Sequence, residues 1–256
     1  MPESGDGWDG VGAGAALSPS FPPPAPDVPA DPAATQQFLA RIAAARPGDP
    51  GLGFAVVAAH DSPPPHPAEV DLAVAEGFAP SRRAEFLLGR GAARAALADA
   101  DLDDGPVRRS GRRPLFPPGS TGSISHCGGV AVALAGASSR YRSLGIDLEV
   151  TPPPLSAAHL ILGDDERAWM SSGATAAEYE RRLLRAFCAK EAAFKALHPL
   201  LADNGLPQLR RIVLRPLTAG FAAWVPGRPE PVVTVTVTDL EPGVLAWTSV
   251  PSAPDH

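Results

Sequence analysis

Asp147 and Glu149 are the two side chains whose type and spacing most strongly suggest chemistry. They lie in residues 144–150, LGIDLEV, a short apolar run of β-forming residues that predicts a buried strand. Because residues i and i+2 share one face of a strand, both carboxylates are expected to point the same way. Two like charges there repel each other and lose hydration, so a hard cation such as Mg²⁺ would stabilise them. The alternative is a strand whose acidic end extends into solvent.

A second candidate group lies in residues 187–197, FCAKEAAFKAL, where the apolar spacing predicts a helix. Glu191 and Lys195 are four residues apart and can share a helix face. Alone, they form an ordinary helix-stabilising pair of about 0.2–0.5 kcal/mol. Beside the acidic strand, Glu191 would instead supply a third oxygen ligand, and Lys195 would bind a phosphate that the metal also contacts.

The third candidate group is Ser125, His126 and Cys127 in residues 122–129, GSISHCGG. Neighbours on a strand point to opposite faces, so these side chains cannot form a nucleophile–base pair. One histidine and one cysteine also lack further ligands at zinc spacing. We interpret Ser125 and His126 as hydrogen-bond donors to an anion, with a structural histidine as the alternative. Cys127 is expected to be a small buried apolar residue.

Arginines form two groups that suit an anionic ligand. Arg83, Arg90 and Arg94 fall near one face of a predicted helix, with Arg82 beside them, and Arg113 precedes the Ser-His strand. Each arginine alone suits a solvated surface, whereas together they could hold phosphates through bidentate hydrogen bonds. The sequence has no P-loop and no GxGxxG fingerprint, so nucleotide recognition would have to use another device.

Composition narrows the class of protein. The chain has 256 residues, a net charge of −6 and 45% hydrophobic residues. No apolar run approaches the ~18–20 residues of a membrane span, and no secretory signal is evident, so we expect no membrane partner. Two cysteines make no disulfide framework, which favours the cytoplasm. The acidic balance argues against nucleic acid as a partner.

The elements that must position these residues can be read from the hydrophobic pattern. Residues 1–34 are rich in Gly, Ala and Pro and predict a disordered tail. Gly128 and Gly129 predict a hairpin turn. Helices are predicted over 36–45, 81–98, 164–171 and 176–197, and strands over 53–59, 122–127, 130–136, 144–150, 210–214, 221–225, 232–237 and 244–250.

An internal similarity predicts two related halves. Residues 85–97, EFLLGRGAARAAL, and 185–197, RAFCAKEAAFKAL, share Ala-Ala and Ala-Leu pairs at an offset of 100 residues, and Lys190 matches Arg90. Alanine-rich helices resemble one another by chance, but each of these lies within an α-plus-β segment. Halves at 35–142 and 143–256 packed face to face would create a cleft, where ligand sites are favoured.

In order along the chain, Arg-Pro, Ser-Ile-Ser-His-Cys, Gly-Ile-Asp-Leu-Glu and Phe-Cys-Ala-Lys-Glu-Ala-Ala-Phe-Lys resemble the 4′-phosphopantetheinyl transferases of the enterobactin and surfactin synthetase-activating type. The resemblance covers roughly residues 50–250. It implies an α+β fold, a pseudo-twofold pseudodimer in which each half packs a small, mainly antiparallel sheet on a long helix. It also implies Mg²⁺-dependent transfer of phosphopantetheine from coenzyme A to a serine of an apo acyl or peptidyl carrier protein, with release of 3′,5′-ADP.

The resemblance also implies residue roles. Asp147, Glu149 and Glu191 would bind Mg²⁺, or Mn²⁺ in its place. Glu191 would also act as base and Lys195 would stabilise the leaving phosphate. The residues expected to contact coenzyme A are Arg82, Arg83, Arg113, Ser125, His126, Lys190 and Lys195. Glu85 departs from the pattern, because an aligned relative may hold an arginine there.

Two other functions fit the same residues. Three carboxylates and a lysine would also serve a Mg²⁺-dependent phosphohydrolase that acts on nucleotides. A degenerate site would leave a non-catalytic module that binds coenzyme A or the carrier. In each case one chain supplies both halves of the cleft, so a monomer is expected.

Overall fold

The structure, a computed structural model, describes residues 32–111, 113–201, 208–228 and 232–253. Helices and antiparallel strands mix along the chain, which confirms the α+β class. The helices are α1 (Pro32–Ala44), α2 (Pro67–Ala75), α3 (Pro80–Asp99), α4 (Ala158–Ile161), α5 (Asp164–Ser171) and α6 (Ala176–Leu197). The strands are β1 (Leu52–Ala58), β2 (Arg108–Ser110), β3 (Arg113–Leu115), β4 (Ser120–Cys127), β5 (Val130–Ala137), β6 (Tyr141–Glu149), β7 (Val213–Leu217), β8 (Gly220–Trp224), β9 (Val233–Asp239) and β10 (Val244–Pro251).

The N-terminal part of the chain builds a three-stranded antiparallel sheet in the order β1-β5-β4. Helix α3 covers one face of it with alanines and leucines, a stripe that buries Ala92, Ala93 and Ala96 completely. A Cβ at Gly53 of β1 would collide with the carbonyl oxygen of Ala96, so the close approach of helix and strand requires glycine there.

The C-terminal part builds a five-stranded antiparallel sheet in the order β6-β10-β9-β8-β7. Helix α6 packs on it in the same manner, and a Cβ at Gly145 of β6 would collide with the carbonyl oxygen of Ala192. The two alanine-rich helices detected as an internal similarity therefore each lie against a glycine in a strand. The sheets differ in size, and the pseudo-twofold relationship and the division at residue 142 stay predictions.

The two sheets meet where β4 lies beside β6. Side chains link these strands: the backbone N–H of Ile146 donates to the Ser123 hydroxyl (3.1 Å), and the Ser125 hydroxyl donates to Asp147. On the other face of the junction, Ile146 and Leu148 enter a core that α1 closes with Phe38 and Ile42. The junction thus has an apolar face and a polar face, and Asp147 lies on the polar one.

Most predicted elements are confirmed within a few residues, including the β4–β5 hairpin that turns at Gly128-Gly129. The prediction over 210–214 is partly wrong, because 209–211 form a 3₁₀ turn before β7 begins at Val213. Helix α1 begins at Pro32, within the predicted tail, while residues 1–31 lie outside the described residues, as does Arg112. None of the described helices combines the length and the apolar character that crossing a membrane requires.

Candidate functional site

Asp147 is the centre of the candidate site. Its side chain is only 4% exposed, although it carries a carboxylate in the middle of the polar face of β6. The Ser125 hydroxyl (2.9 Å) and the Lys195 ammonium (2.7 Å) both donate to Oδ1. Oδ2 is buried and has no hydrogen-bond partner among the described residues. Asp147 is therefore not at a solvated strand end, and one of its oxygens is left without a hydrogen-bond partner among the described residues.

Lys195 reaches this carboxylate from α6. Its ammonium also donates to the backbone carbonyl of Ile146 (2.9 Å), which fixes it against β6. Burial lowers the pKa of Lys195, but the charges of Asp147 and Glu191 outweigh that effect and raise the pKa above its ordinary value. Lys195 thus stays charged, and its ion pair is with Asp147 across the junction rather than with Glu191 along the helix.

Glu191 lies one helical turn before Lys195 and is half-buried in the wall of a cavity. Burial and then the charge of Asp147 raise the pKa of Glu191 to about 7, against the opposing effect of Lys195. The structure therefore brings together the strand carboxylate, the helix carboxylate and the helix lysine that the spacing predicted.

The predicted metal set is only partly assembled. Within the described ranges, no three or more His, Cys, Asp or Glu side chains cluster closely enough to hold a metal ion. The orphaned Oδ2 of Asp147 and the raised pKa of Glu191 are features that a divalent cation with oxygen ligands would relieve. Glu149, half-buried at the end of β6, shares the strand face of Asp147, and its role as a ligand stays a prediction.

Ser125 and His126 point to opposite faces of β4, as the strand period requires. Ser125 donates to Asp147, so the anion it meets in this structure is a protein carboxylate. His126 Nε2 lies 3.3 Å from Nη1 of Arg82. Burial lowers the pKa of His126, with a smaller opposing effect of Glu85, so the ring is neutral at pH 7.

His126 and Arg82 open into a cavity of about 400 Å³, here called the arginine cavity. Its charged and aromatic lining comprises Phe78, Arg82, Glu85, Phe86, Arg90, Arg109 and His126. Arg90 is buried with its guanidinium 4.3 Å from the Phe86 ring centroid, and burial lowers its pKa to about 10. Three arginines and a histidine around one cavity favour an anionic ligand.

Arg90 and Arg109 are site residues that the sequence reasoning did not assign. Arg90 was expected only as part of a basic stripe on α3. Arg109 belongs to the β2–β3 hairpin, which the hydrophobic pattern did not predict; its guanidinium lies 5.4 Å from the Phe78 centroid and pairs with Glu76 (3.0 Å). The signal available in the sequence was the run of four arginines at 108, 109, 112 and 113.

Glu191 and Lys195 open into a second cavity, of about 480 Å³, here called the apolar cavity. Its walls are mainly apolar, with Pro114, Leu115 and Phe116 opposite Phe194 of α6. Arg113 lines this cavity, and its expected place near the nucleotide stays a prediction. Pro114 and Ile124 line both cavities, so the two spaces adjoin.

Two predicted contact residues lie elsewhere. Lys190 is fully buried on another face of α6, where its ammonium donates to Glu166 (2.6 Å), so the expected contact with a ligand does not fit its position. Glu166 also accepts backbone N–H groups of Gly163 and Leu214, which makes this pair part of the packing of α5, α6 and β7. Arg83 is half-buried on α3 and lines neither cavity.

Comparison with known families gives two adjacent matches. Residues 71–136 match the 4′-phosphopantetheinyl transferase N-terminal domain, and residues 143–228 match the 4′-phosphopantetheinyl transferase superfamily. The first match contains α3 and the arginine cavity's lining, and the second contains Asp147, Glu191 and Lys195.

Curated relatives carry corresponding names. The chain is 38% identical over 141 residues to 4′-phosphopantetheinyl transferase Npt of Nocardia iowensis, a match that covers 54% of this chain and 60% of the relative. It is 38% identical to 4′-phosphopantetheinyl transferase PptT of Mycobacterium tuberculosis, with 53% and 59% covered. It is 39% identical to enterobactin synthase component D of Salmonella typhimurium, with 45% and 48% covered. The chain thus spans about half the length of the curated relatives it matches.

Proposed function

The chain belongs to the 4′-phosphopantetheinyl transferase superfamily, and we propose that it transfers 4′-phosphopantetheine from coenzyme A to a serine of an apo carrier protein. The second product is 3′,5′-ADP. The carriers would be acyl or peptidyl carrier domains, as the family resemblance implies.

One observation carries the proposal: a cavity lined by arginines adjoins a mainly apolar cavity that Glu191 and Lys195 line. The arginine cavity suits the phosphorylated nucleotide, and the apolar cavity suits the pantetheine arm. Lys195 and Glu191 line the apolar cavity. His126 lines the arginine cavity, and its neighbour in the chain, Ser125, donates a hydrogen bond to Asp147. The pyrophosphate that joins the two parts of coenzyme A would then lie at the Asp147–Lys195 pair.

Asp147 and Glu191 are suited to hold a divalent cation, with Glu149 as the expected third ligand. Carboxylate oxygens are the ligands that Mg²⁺ prefers, with Mn²⁺ as a substitute. A cation bound there would neutralise the negative charge of the pyrophosphate, which otherwise repels an incoming hydroxyl.

The protein's own groups supply the remaining chemistry. Glu191 would also act as base for the carrier serine, directly or through water, a contribution of about 10²–10⁴-fold. The serine oxygen attacks the phosphorus of the phosphopantetheine, and the bond to the bridging oxygen of 3′,5′-ADP breaks. Lys195, charged and held by Asp147, stabilises the negative charge that develops on this leaving group.

The test is incubation of the full chain with coenzyme A, Mg²⁺ and a purified apo carrier, followed by intact-mass analysis. A carrier mass gain of one phosphopantetheine, lost when a chelator replaces Mg²⁺, supports the proposal. Free phosphate or cleaved nucleotide without a modified carrier would identify a phosphohydrolase. Binding of coenzyme A without any product would identify a non-catalytic module.

Both cavities are lined by one chain, so we propose the monomer as the active unit. Light scattering at the concentration used for the transfer assay tests this.

A further inference from the structure

We propose that His198 binds the pantetheine arm of coenzyme A through the hydroxyl and amide groups that follow its phosphate. This inference rests on the proposed function, because it assigns a ligand group to one wall of the apolar cavity. It concerns a residue outside the charged cluster.

His198 continues the helix face that carries the reacting groups. It follows Glu191 by seven residues and Lys195 by three, which places all three side chains along one side of α6. The rise of a helix puts His198 about 10 Å beyond Glu191 along the axis. All three line the same cavity, so this cavity extends from the charged cluster towards the end of the helix.

Packing sets the orientation of the His198 ring. The ring lies against Phe194, with centroids 5.4 Å apart and planes at 41°, and Phe194 itself forms part of the cavity wall. Arg113 of β3 lines the cavity as well, and its charge acts on the imidazole. His198 is thus held at the cavity wall by an aromatic contact with Phe194.

The chemistry of the ring suits a neutral polar group. Burial and then the charge of Arg113 lower the pKa of His198, so the imidazole is neutral at neutral pH. No hydrogen bond to a described residue contributes to that shift. A neutral imidazole carries one donor and one acceptor, the combination that pairs with a hydroxyl or an amide rather than with a phosphate.

Coenzyme A carries a hydroxyl and an amide a short distance beyond its pyrophosphate. In phosphopantetheine, a branched apolar carbon, a hydroxyl and an amide follow the phosphate within a few covalent bonds. With the phosphate at Lys195, a chain that runs along the apolar wall reaches His198 about one helical turn later. The apolar carbons would contact Phe116 and Phe194, and His198, the residue that follows α6, would hydrogen-bond the polar groups there.

The test compares two ligands that differ by phosphopantetheine. Calorimetry with the full chain measures the affinity for coenzyme A and for 3′,5′-ADP, which lacks the pantetheine arm and the phosphate that carries it. Loss of one neutral hydrogen bond predicts that His198→Ala and His198→Phe weaken coenzyme A binding by about three- to tenfold and leave 3′,5′-ADP binding unchanged. His198→Gln, which retains a donor and an acceptor, should recover most of the affinity. His60→Ala, an exposed histidine outside both cavities, is the matched control.

Three results would overturn the assignment. Unchanged coenzyme A affinity in His198→Ala would show that His198 does not bind the ligand. An equal loss of affinity for both ligands would indicate a general effect on the site. Recovery by His198→Phe would show that the ring only packs on Phe194. If the wild-type protein binds coenzyme A but modifies no carrier, the proposed function fails while the His198 comparison still stands. If it binds no coenzyme A at all, both fail.

Discussion

Lys195 and Asp147 form an ion pair across the junction of helix α6 and strand β6, with 2.7 Å between Nζ and Oδ1. The two carboxylate oxygens of Asp147 differ in their hydrogen bonds: Oδ1 accepts from both Lys195 and Ser125, whereas Oδ2 has no partner among the described residues. A buried carboxylate that is only half satisfied costs stability, unless a ligand completes it. Asp147 is thus the point where the stability of the fold and the binding of a ligand are linked.

The first prediction concerns Asp147→Asn. The amide oxygen can still accept from Lys195 and Ser125, so we expect a folded protein with a melting temperature within a few degrees of the wild type. Transfer should fall by about 10²–10³-fold, because the negative charge that orders the cluster is lost. Asp164→Asn, a change at an exposed carboxylate, should leave the rate unchanged. An Asp147→Asn protein with the wild-type rate in the carrier mass assay would contradict the site.

The second prediction concerns Glu191 and pH. Its pKa in the folded protein, about 7, lies above the ordinary value of 4.5, so the folded state binds the proton more tightly than the unfolded state. The resulting stabilisation is complete below pH 4.5 and is lost as the pH rises through 7. Urea unfolding in the presence of a chelator should therefore show a smaller loss of stability between pH 5 and pH 8 in Glu191→Gln than in the wild type.

Adding Mg²⁺ instead of a chelator gives a second test of Glu191. A cation that binds the ionised carboxylates stabilises the folded state by mass action. Mg²⁺ should raise the melting temperature of the wild type at pH 8 and have less effect in Glu191→Gln. Equal pH slopes in chelator, or equal responses to Mg²⁺, would show that Glu191 is not the group responsible.

The cluster could be predicted from the sequence because local periodicity fixes it. A period of two places Asp147 on the polar face of β6, and a period of 3.6 places Glu191 and Lys195 together on α6. The same rule explains why Lys190 lies apart from this cluster: it precedes Glu191 by one residue, which turns it about 100° around the helix. There it meets Glu166 instead of the site.

The arginine cavity could not be predicted in the same way, because it depends on tertiary contacts. Arg109 enters it from the β2–β3 hairpin, whose strands have only three residues each and no hydrophobic alternation. Helix α2 was also missed, although Pro67 at its first turn and the His66 cap are start signals that the sequence displays. The hydrophobic pattern assigned no element to either segment.

The third prediction concerns the arginine cavity. If this cavity binds the 3′-phosphate, Arg82→Gln and Arg109→Gln should each weaken coenzyme A binding by about tenfold, the loss of one charge-assisted hydrogen bond. Binding of dephospho-coenzyme A, which lacks that phosphate, should change little. Arg167→Gln, at an exposed arginine of α5, is the control. Equal losses for both ligands would place the 3′-phosphate elsewhere.

The fourth prediction concerns Glu85, the one acidic residue in the arginine cavity's lining. Its carboxylate pairs with Arg82 (3.2 Å) and competes with any anion for that guanidinium. Glu85→Gln should therefore tighten coenzyme A binding, and most at low ionic strength, where charge repulsion is least screened. Glu180→Gln, at an exposed position on α6, should have no effect. Weaker binding in Glu85→Gln would mean that Glu85 orients Arg82 for the ligand rather than competing with it.

The fifth prediction separates stability from function at Lys190 and Glu166. Both side chains are almost fully buried, and burial lowers the pKa of Lys190 against the opposing effect of Glu166. Lys190→Met leaves the Glu166 carboxylate buried without its cation, which should lower the free energy of unfolding by about 3–5 kcal/mol. Lys190→Met with Glu166→Gln should lose less than the sum of the single changes, because the amide needs no countercharge and still accepts from Leu214. At a temperature where Lys190→Met remains folded, its affinity for coenzyme A should equal that of the wild type. A specific loss of coenzyme A affinity in the folded variant would show that Lys190 contributes to ligand binding, although it lies on another face of α6.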